Sequence, residues 1–153
     1  MATPISDALA KLIEHIKPIT DQLGIREVNN YPKAIMERVN PPVIDLVFVN
    51  DGKLKNVGQG SSLIIQHPLF FKLYFYSEVL TAEAKHEDCR VKLEAIQDYL
   101  IRHMSVDDGY GDLGLSELDD FDSFNLDMGE VYTPGQDYLG GSIDLLLKVL
   151  VVY

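Results

Sequence analysis

Leu69-Phe70-Phe71-Lys72-Leu73-Tyr74-Phe75-Tyr76-Ser77 is the segment on which the fold turns. Phe71, Leu73 and Phe75 fall on one side and Lys72, Tyr74 and Tyr76 on the other. That period of two belongs to a β-strand with one face in a core. Ser62 to Gln66 just upstream also reads as strand. A break or bulge is expected between the two at His67-Pro68, because proline cannot donate to a sheet ladder.

Two further apolar runs supply strands for this one to pair with. Val43 to Val49 follows Pro41-Pro42 and places Val43, Val47 and Val49 with Asp45 on one face. Ile44, Leu46 and Phe48 take the other, so the strand is expected in the sheet interior. Ser142 to Tyr153 divides likewise. Ile143, Leu145, Leu147, Val149 and Val151 share a face, and Leu146, Leu150 and Val152 share the other with Asp144 and Lys148. Shorter strands are expected near Ile25–Val28, Phe124–Met128 and Glu130–Thr133. Asn50-Asp51-Gly52 signals a turn. The polar residues after it, Lys53 to Gly60, form a hairpin arm spanning about 50–61.

Two segments have helical period. In 4–23, Ile5, Ala8, Leu9, Leu12, Ile13, Ile16, Ile19 and Leu23 recur three and four apart. Thr3 suits the N-cap, Pro4 the first helical position and Gly24 the stop, while Pro18 predicts a kink. In 82–104, Cys89, Leu93, Ile96 and Leu100 form the apolar stripe. Thr81 suits its N-cap, and Arg102 and His103 its C-terminal end. Helix, hairpin-linked strands, helix and strands again define an α+β protein. Its largely antiparallel sheet, of about four to six strands, packs against two amphipathic helices. The 153 residues are read as a single domain, 1–153.

The charge of the chain is concentrated. Its net −11 arises between His103 and Leu147, where eleven acids occur and no Lys or Arg. The other thirteen acids are matched by thirteen Lys and Arg. Carboxylates are costly to bury unpaired, so this stretch needs water, a cation or a basic partner. Its core, a loop-rich excursion over about 105–130, is the most acidic part. The acidic balance argues against general nucleic-acid binding and against docking on an anionic membrane. Met1 to Lys17 lacks the apolar region of a signal peptide. The run from Leu145 to Tyr153 is too short to span a bilayer. With Cys89 alone no intramolecular disulfide can form, which suits a reducing cytoplasm.

No motif for chemistry emerges. Neither Asp107 nor Asp120 begins an EF-hand loop, since Gly109 and Phe124 fall at ligand positions. His15, His67, His86 and His103 lack zinc spacing. Gly58-Gln59-Gly60-Ser61-Ser62 has no P-loop lysine and reads as a flexible loop tip. Cys89 sits on an apolar stripe, the place of a core residue. No metal or cofactor is therefore expected.

The order of features resembles one protein family. An amphipathic N-terminal helix leads to Pro41-Pro42-Val43. A hairpin with a polar arm leads to the aromatic strand Leu69 to Ser77. A helix holding Leu93-Glu94-Ala95-Ile96-Gln97-Asp98-Tyr99-Leu100 follows, then a variable loop, then Tyr138-Leu139-Gly140-Gly141 entering a terminal apolar strand. This layout is similar to the tail terminator and tail-completion proteins at the head–tail joint of tailed bacteriophages. The resemblance implies a virion protein made in the host cytoplasm, with no enzymatic activity and no membrane contact. It implies a hexameric ring that caps the tail tube, stops its polymerisation and offers a docking face to the head. The partners it implies are further copies of the chain, the tail tube protein, a head-connector or neck protein, and DNA passing through the lumen without sequence-specific binding. Lys53, Lys55, Asn56 and Gln59 of the arm would then meet a neighbour or the tube. Asp107, Asp108, Asp112, Asp119, Asp120 and Asp122 would face the lumen or a basic partner. The competing expectation is a small cytoplasmic binding module whose acidic loop holds Ca²⁺ or a basic protein.

Overall fold

The computed structural model describes residues 3–103 and 126–153. It is an α+β structure with a six-stranded, largely antiparallel sheet. The elements run α1 (Pro4–Gln22), β1 (Glu27–Asn29), α2 (Lys33–Met36), β2 (Val43–Asp51), β3 (Lys55–Asn56), β4 (Ile64–Val79), α3 (His86–His103), β5 (Leu126–Tyr132) and β6 (Asp137–Val152). The strand order is β1-β2-β4-β6-β5, with β3 also paired to β4. Among the described residues, only the β1–β2 pairing is parallel.

Two long strands form the axis of the sheet. β4 and β6 each span 16 residues and pair from Ile64↔Val152 to Val79↔Tyr138. Their alternation decides what lies on either side. Ile44, Leu46, Leu69, Phe71, Leu73, Phe75, Ile143, Leu145 and Leu147 point to one face and are buried. The stripes of α1 (Ala8, Leu9, Leu12, Ile16, Ile19) and α3 (Cys89, Leu93, Ile96, Leu100) cover that face in one core. The burial of so many branched and aromatic side chains supplies the main driving force. Tyr99 Oη also donates to His15 O at 2.8 Å, tying α3 to α1.

Local chemistry sets the helix ends. Thr3 and Ser6 form a reciprocal capping box at α1, with Pro4 at the first helical position. Gly24, at φ +68, ends it in the left-handed region. The helix continues through the exposed Pro18. At α3 the expected start moves from Ala82 to His86. Thr81 caps a turn instead: its hydroxyl accepts from Glu83 N and its carbonyl from Ala84 N. Lys85 N is meanwhile held by the Glu78 carboxylate.

Several strand boundaries also differ from what the sequence leads one to expect. β4 runs unbroken through His67-Pro68. In a strand, a residue's N and C=O point to the same side. Pro68 O accepts from Gly52 N at 2.7 Å, so the proline nitrogen faces the end of β2 and no bond to β6 is lost. The irregularity in β4 lies instead between Tyr76 and Glu78. Asn50 and Asp51 are not a turn but the last residues of β2, opposite Phe70 and Leu69 after a bulge. The two strands expected at Phe124–Met128 and Glu130–Thr133 are one, β5. β6 begins at Asp137 rather than Ser142, because Gly140 and Gly141 stay in the ladder.

Gly140 has a steric reason to be glycine. A Cβ there would lie 2.0 Å from Phe75 O, a backbone atom with little freedom to yield. At Gly129, its partner on β5, a Cβ would meet nothing within 4 Å. Gly140→Ala is therefore expected to lower stability by about 3 kcal/mol. Gly129→Ala should change it by less than about 1 kcal/mol. Urea unfolding of the two variants checks the contrast.

Candidate assembly interface

The face of the sheet away from α1 and α3 has two unlike halves. The chain from residue 30 to 39 crosses one half, and a buried carboxylate holds it there. Asp45, on β2, is fully buried. It accepts from Ala34 N and from Asn29 Nδ2, both at 2.9 Å, so it pins α2 and β1 to the sheet. Ala34, Tyr76 and Tyr138 form a second small core, with Val39, Tyr74 and Val131 around it. The rings of Tyr76 and Tyr138 meet edge-on at 5.2 Å, and Tyr138 Oη accepts from Val39 N at 3.1 Å. Arg38 Nε donates to Gly135 O at 3.2 Å. Lys33 pairs with Glu27 and lies 3.7 Å from Glu37. Tyr76 Oη is buried without a hydrogen-bond partner among the described residues.

The covering segment exposes polar and charged side chains, Asn30, Glu37 and Arg38, together with apolar ones. Ile35 and Met36 are 47% and 72% exposed, and Tyr31 is also exposed. They form a ledge above the covered half.

The other half of the face has no covering element among the described residues. Val49, Phe70 and Val152 are exposed, and Leu146 and Leu150 are half-buried. Val49, Asn50, Phe70, Asp144 and Leu146 line a depression of about 280 Å³. Lys72 and Asp144, a cross-strand pair, border it with 3.8 Å between Nζ and Oδ1. An exposed apolar patch of this kind is the usual mark of an interaction surface.

The four arm residues expected from the sequence to make contacts lie beside this half. Lys53, Lys55, Asn56 and Gln59 are all exposed. Lys55 and Asn56 are β3 and pair with Gln66 and Ile65. The arm is therefore docked along β4 rather than free. Its end is no loose tip: Val57 N donates to Ile64 O, and a Cβ on Gly58 would lie 2.2 Å from Ser62 O. Asn56 Oδ1 accepts from Gly58 N, a turn contact. Asp107, Asp108, Asp112, Asp119, Asp120 and Asp122 lie outside the described residues, as does most of the acidic excursion. Val49, Phe70, Leu146, Ile35 and Met36 were not singled out by sequence. The available signal was the second face of β6, where Leu146, Leu150 and Val152 accompany Asp144 and Lys148. Two apolar faces mark a strand inside the sheet, as β6 is between β4 and β5, but do not tell what covers each face.

Among the described residues no group of three or more His, Cys, Asp or Glu could hold a metal ion. His67 contacts Tyr153 Oη at 3.1 Å. Cys89 is buried, and burial raises its thiol pKa, which disfavours the reactive thiolate. No helix among the described residues is long and apolar enough to cross a membrane. No protein-family model matches the chain, and no curated protein matches it.

Asp45 gives the covered half a pH signature. Burial raises its pKa. The bonds from Ala34 N and Asn29 oppose the rise, Glu27 adds to it, and Lys33 lowers it. The fold thus favours the protonated carboxyl. That contribution is fully present below the ordinary carboxylate range and is lost as pH rises through the raised value. Urea midpoints from about pH 3 to pH 7 should fall for the native chain relative to Asp45→Asn. Asp45→Ala leaves both donors unpaired and should cost about 2–3 kcal/mol.

Proposed function

We propose that this chain is a structural assembly protein, a ring-forming tail terminator of a tailed phage that caps the tail tube and presents a docking face to the head. The observation that carries the reading is the apolar half of the sheet that no element among the described residues covers. A subunit that works alone gains nothing from keeping Val49, Phe70 and Val152 in water. One that closes against its own copies buries them.

Other features support the same reading. The order of elements is that of the resemblance: an N-terminal helix, a proline-led strand, a hairpin with an arm, a second helix and a terminal apolar strand. The arm, docked along β4, carries exposed Leu54, Val57 and Leu63 beside Lys53 and Lys55, which suits contact with a neighbour or the tube. The acidic excursion, six copies of it in a ring, would repel DNA phosphates if turned to the lumen.

Light scattering at low and high protein concentration, with and without Ca²⁺, tests the proposal. It predicts a closed species of fixed mass, near six chains, independent of Ca²⁺. A mass of one chain at every concentration, with melting raised by Ca²⁺, contradicts it and favours a calcium-binding module.

A further inference from the structure

We infer that residues 30–39 form a strap that lifts from the sheet while the sheet stays folded, and that ionisation of Asp45 loosens it. The inference concerns a single chain and stands apart from how copies assemble.

The strap belongs to the crossover between two parallel strands. The chain leaves the sheet after Asn29 and returns through Pro42 to Val43. Both ends are secured outside the strap. Glu27, Val28 and Asn29 pair with Val43, Ile44 and Asp45, and Arg26 N donates to Pro42 O at 2.9 Å. Among the described residues no backbone–backbone hydrogen bond joins 30–39 to the sheet. The bonds that hold it pass through side chains. Ala34 N donates to Asp45 Oδ2, Val39 N to Tyr138 Oη and Arg38 Nε to Gly135 O, while Lys33 pairs with Glu27. Of the ten residues only Ala34 is buried. Lifting therefore separates no strands and takes one small side chain out of a core. Few buried apolar contacts are what permits opening well below the cost of global unfolding. The larger change is on the sheet, where Tyr76 and Tyr138 would join the half of the face already uncovered among the described residues.

Asp45 sets the balance because its surroundings differ most between the two states. Under the strap it is fully buried, and burial penalises the anion more than the neutral acid. The bonds from Ala34 N and Asn29 offset part of that penalty. Glu27 on β1 adds to it and Lys33 on α2 reduces it. Glu37, at the end of α2, lies toward Lys33, and Lys72, farther along β4, lies toward Asp144. Tyr74 and Tyr76 of β4 and Tyr138 of β6 share the face of Asp45 as phenols, which ordinarily ionise near pH ~10. Tyr76 Oη, buried without a hydrogen-bond partner among the described residues, adds a desolvation cost that water relieves once the strap lifts. The sign follows from the raised Asp45 value: the closed strap is tightest in acid and loosens as the carboxyl ionises.

Native-state hydrogen exchange of the full chain, read in increasing urea, tests this. The amides of Ala34 and Val39 should exchange through an opening with little urea dependence. Those of Leu73 and Ile143, inside the sheet, should follow global unfolding. Between about pH 5 and pH 8 the protection of Ala34 and Val39 should fall at least about 3-fold in the native chain. It should stay level in Asp45→Asn, which removes the charge, and should still fall in Glu27→Gln. If Ala34 and Val39 exchange only together with Leu73 and Ile143, the strap does not open by itself and the inference is overturned. If they open separately but the native chain and Asp45→Asn share one pH profile, control by Asp45 is overturned. Should Asp45→Asn not fold by circular dichroism, Glu27→Gln decides: loss of the fall in that variant assigns it to Glu27 and overturns the role given to Asp45.

Discussion

The pairing of β4 with β6 is the constraint on which the rest of the structure depends. The two strands run side by side for 16 residues each, from Ile64↔Val152 to Val79↔Tyr138. Because side chains alternate, one register assigns every residue of both strands to a face. A shift of β6 by one residue against β4 would turn Ile143 and Leu145 out of the core and put Asp144 into it. Close approach of the strands is part of the same constraint, since Gly140 lies against Phe75 O with no room for a side chain. α1 and α3 have a place to pack only because that register presents a continuous apolar surface.

The opposite face follows from the same register but is treated differently along its length. At the end holding Tyr76 and Tyr138, the structure turns a polar group inward. Asp45 sits where a Val or Ile would pack, and its two accepted hydrogen bonds hold α2 and β1 on the sheet. A buried carboxylate is tolerable because both donors are fixed to it. At the other end nothing comparable occurs among the described residues, and Val49, Phe70 and Leu146 keep an open depression. One segment of ten residues, 30–39, thus covers one half of the face and leaves the other uncovered among the described residues.

Much of this was legible in the sequence where periodicity speaks. The stripes of α1 and α3, the alternation of Phe71, Leu73 and Phe75, and the α+β class all follow from spacing alone. The failures have physical causes. His67-Pro68 was expected to interrupt β4, but proline is harmless where its nitrogen faces the end of a neighbouring strand. Asn50-Asp51-Gly52 carries turn residues, yet the ladder to Leu69 and Phe70 prevails over local preference. Thr81 is a good cap that serves a turn before the helix. The surfaces of the candidate interface were the least legible. Whether Leu146 or Phe70 is covered depends on where residues 30–39 cross the sheet, and that depends on one hydrogen-bonded aspartate 11 residues beyond Ala34. The acidic candidates lie outside the described residues.

We propose that copies of this chain meet through the half of the sheet that is uncovered among the described residues. Hydroxyl-radical footprinting across a concentration series reads that surface directly. Phe70 and Val49 are expected to become protected as the assembled mass appears. Val91, exposed on α3, and Tyr153 keep their reactivity. Assembled protein in which Phe70 and Val49 react as they do in the dilute chain would contradict the proposed interface.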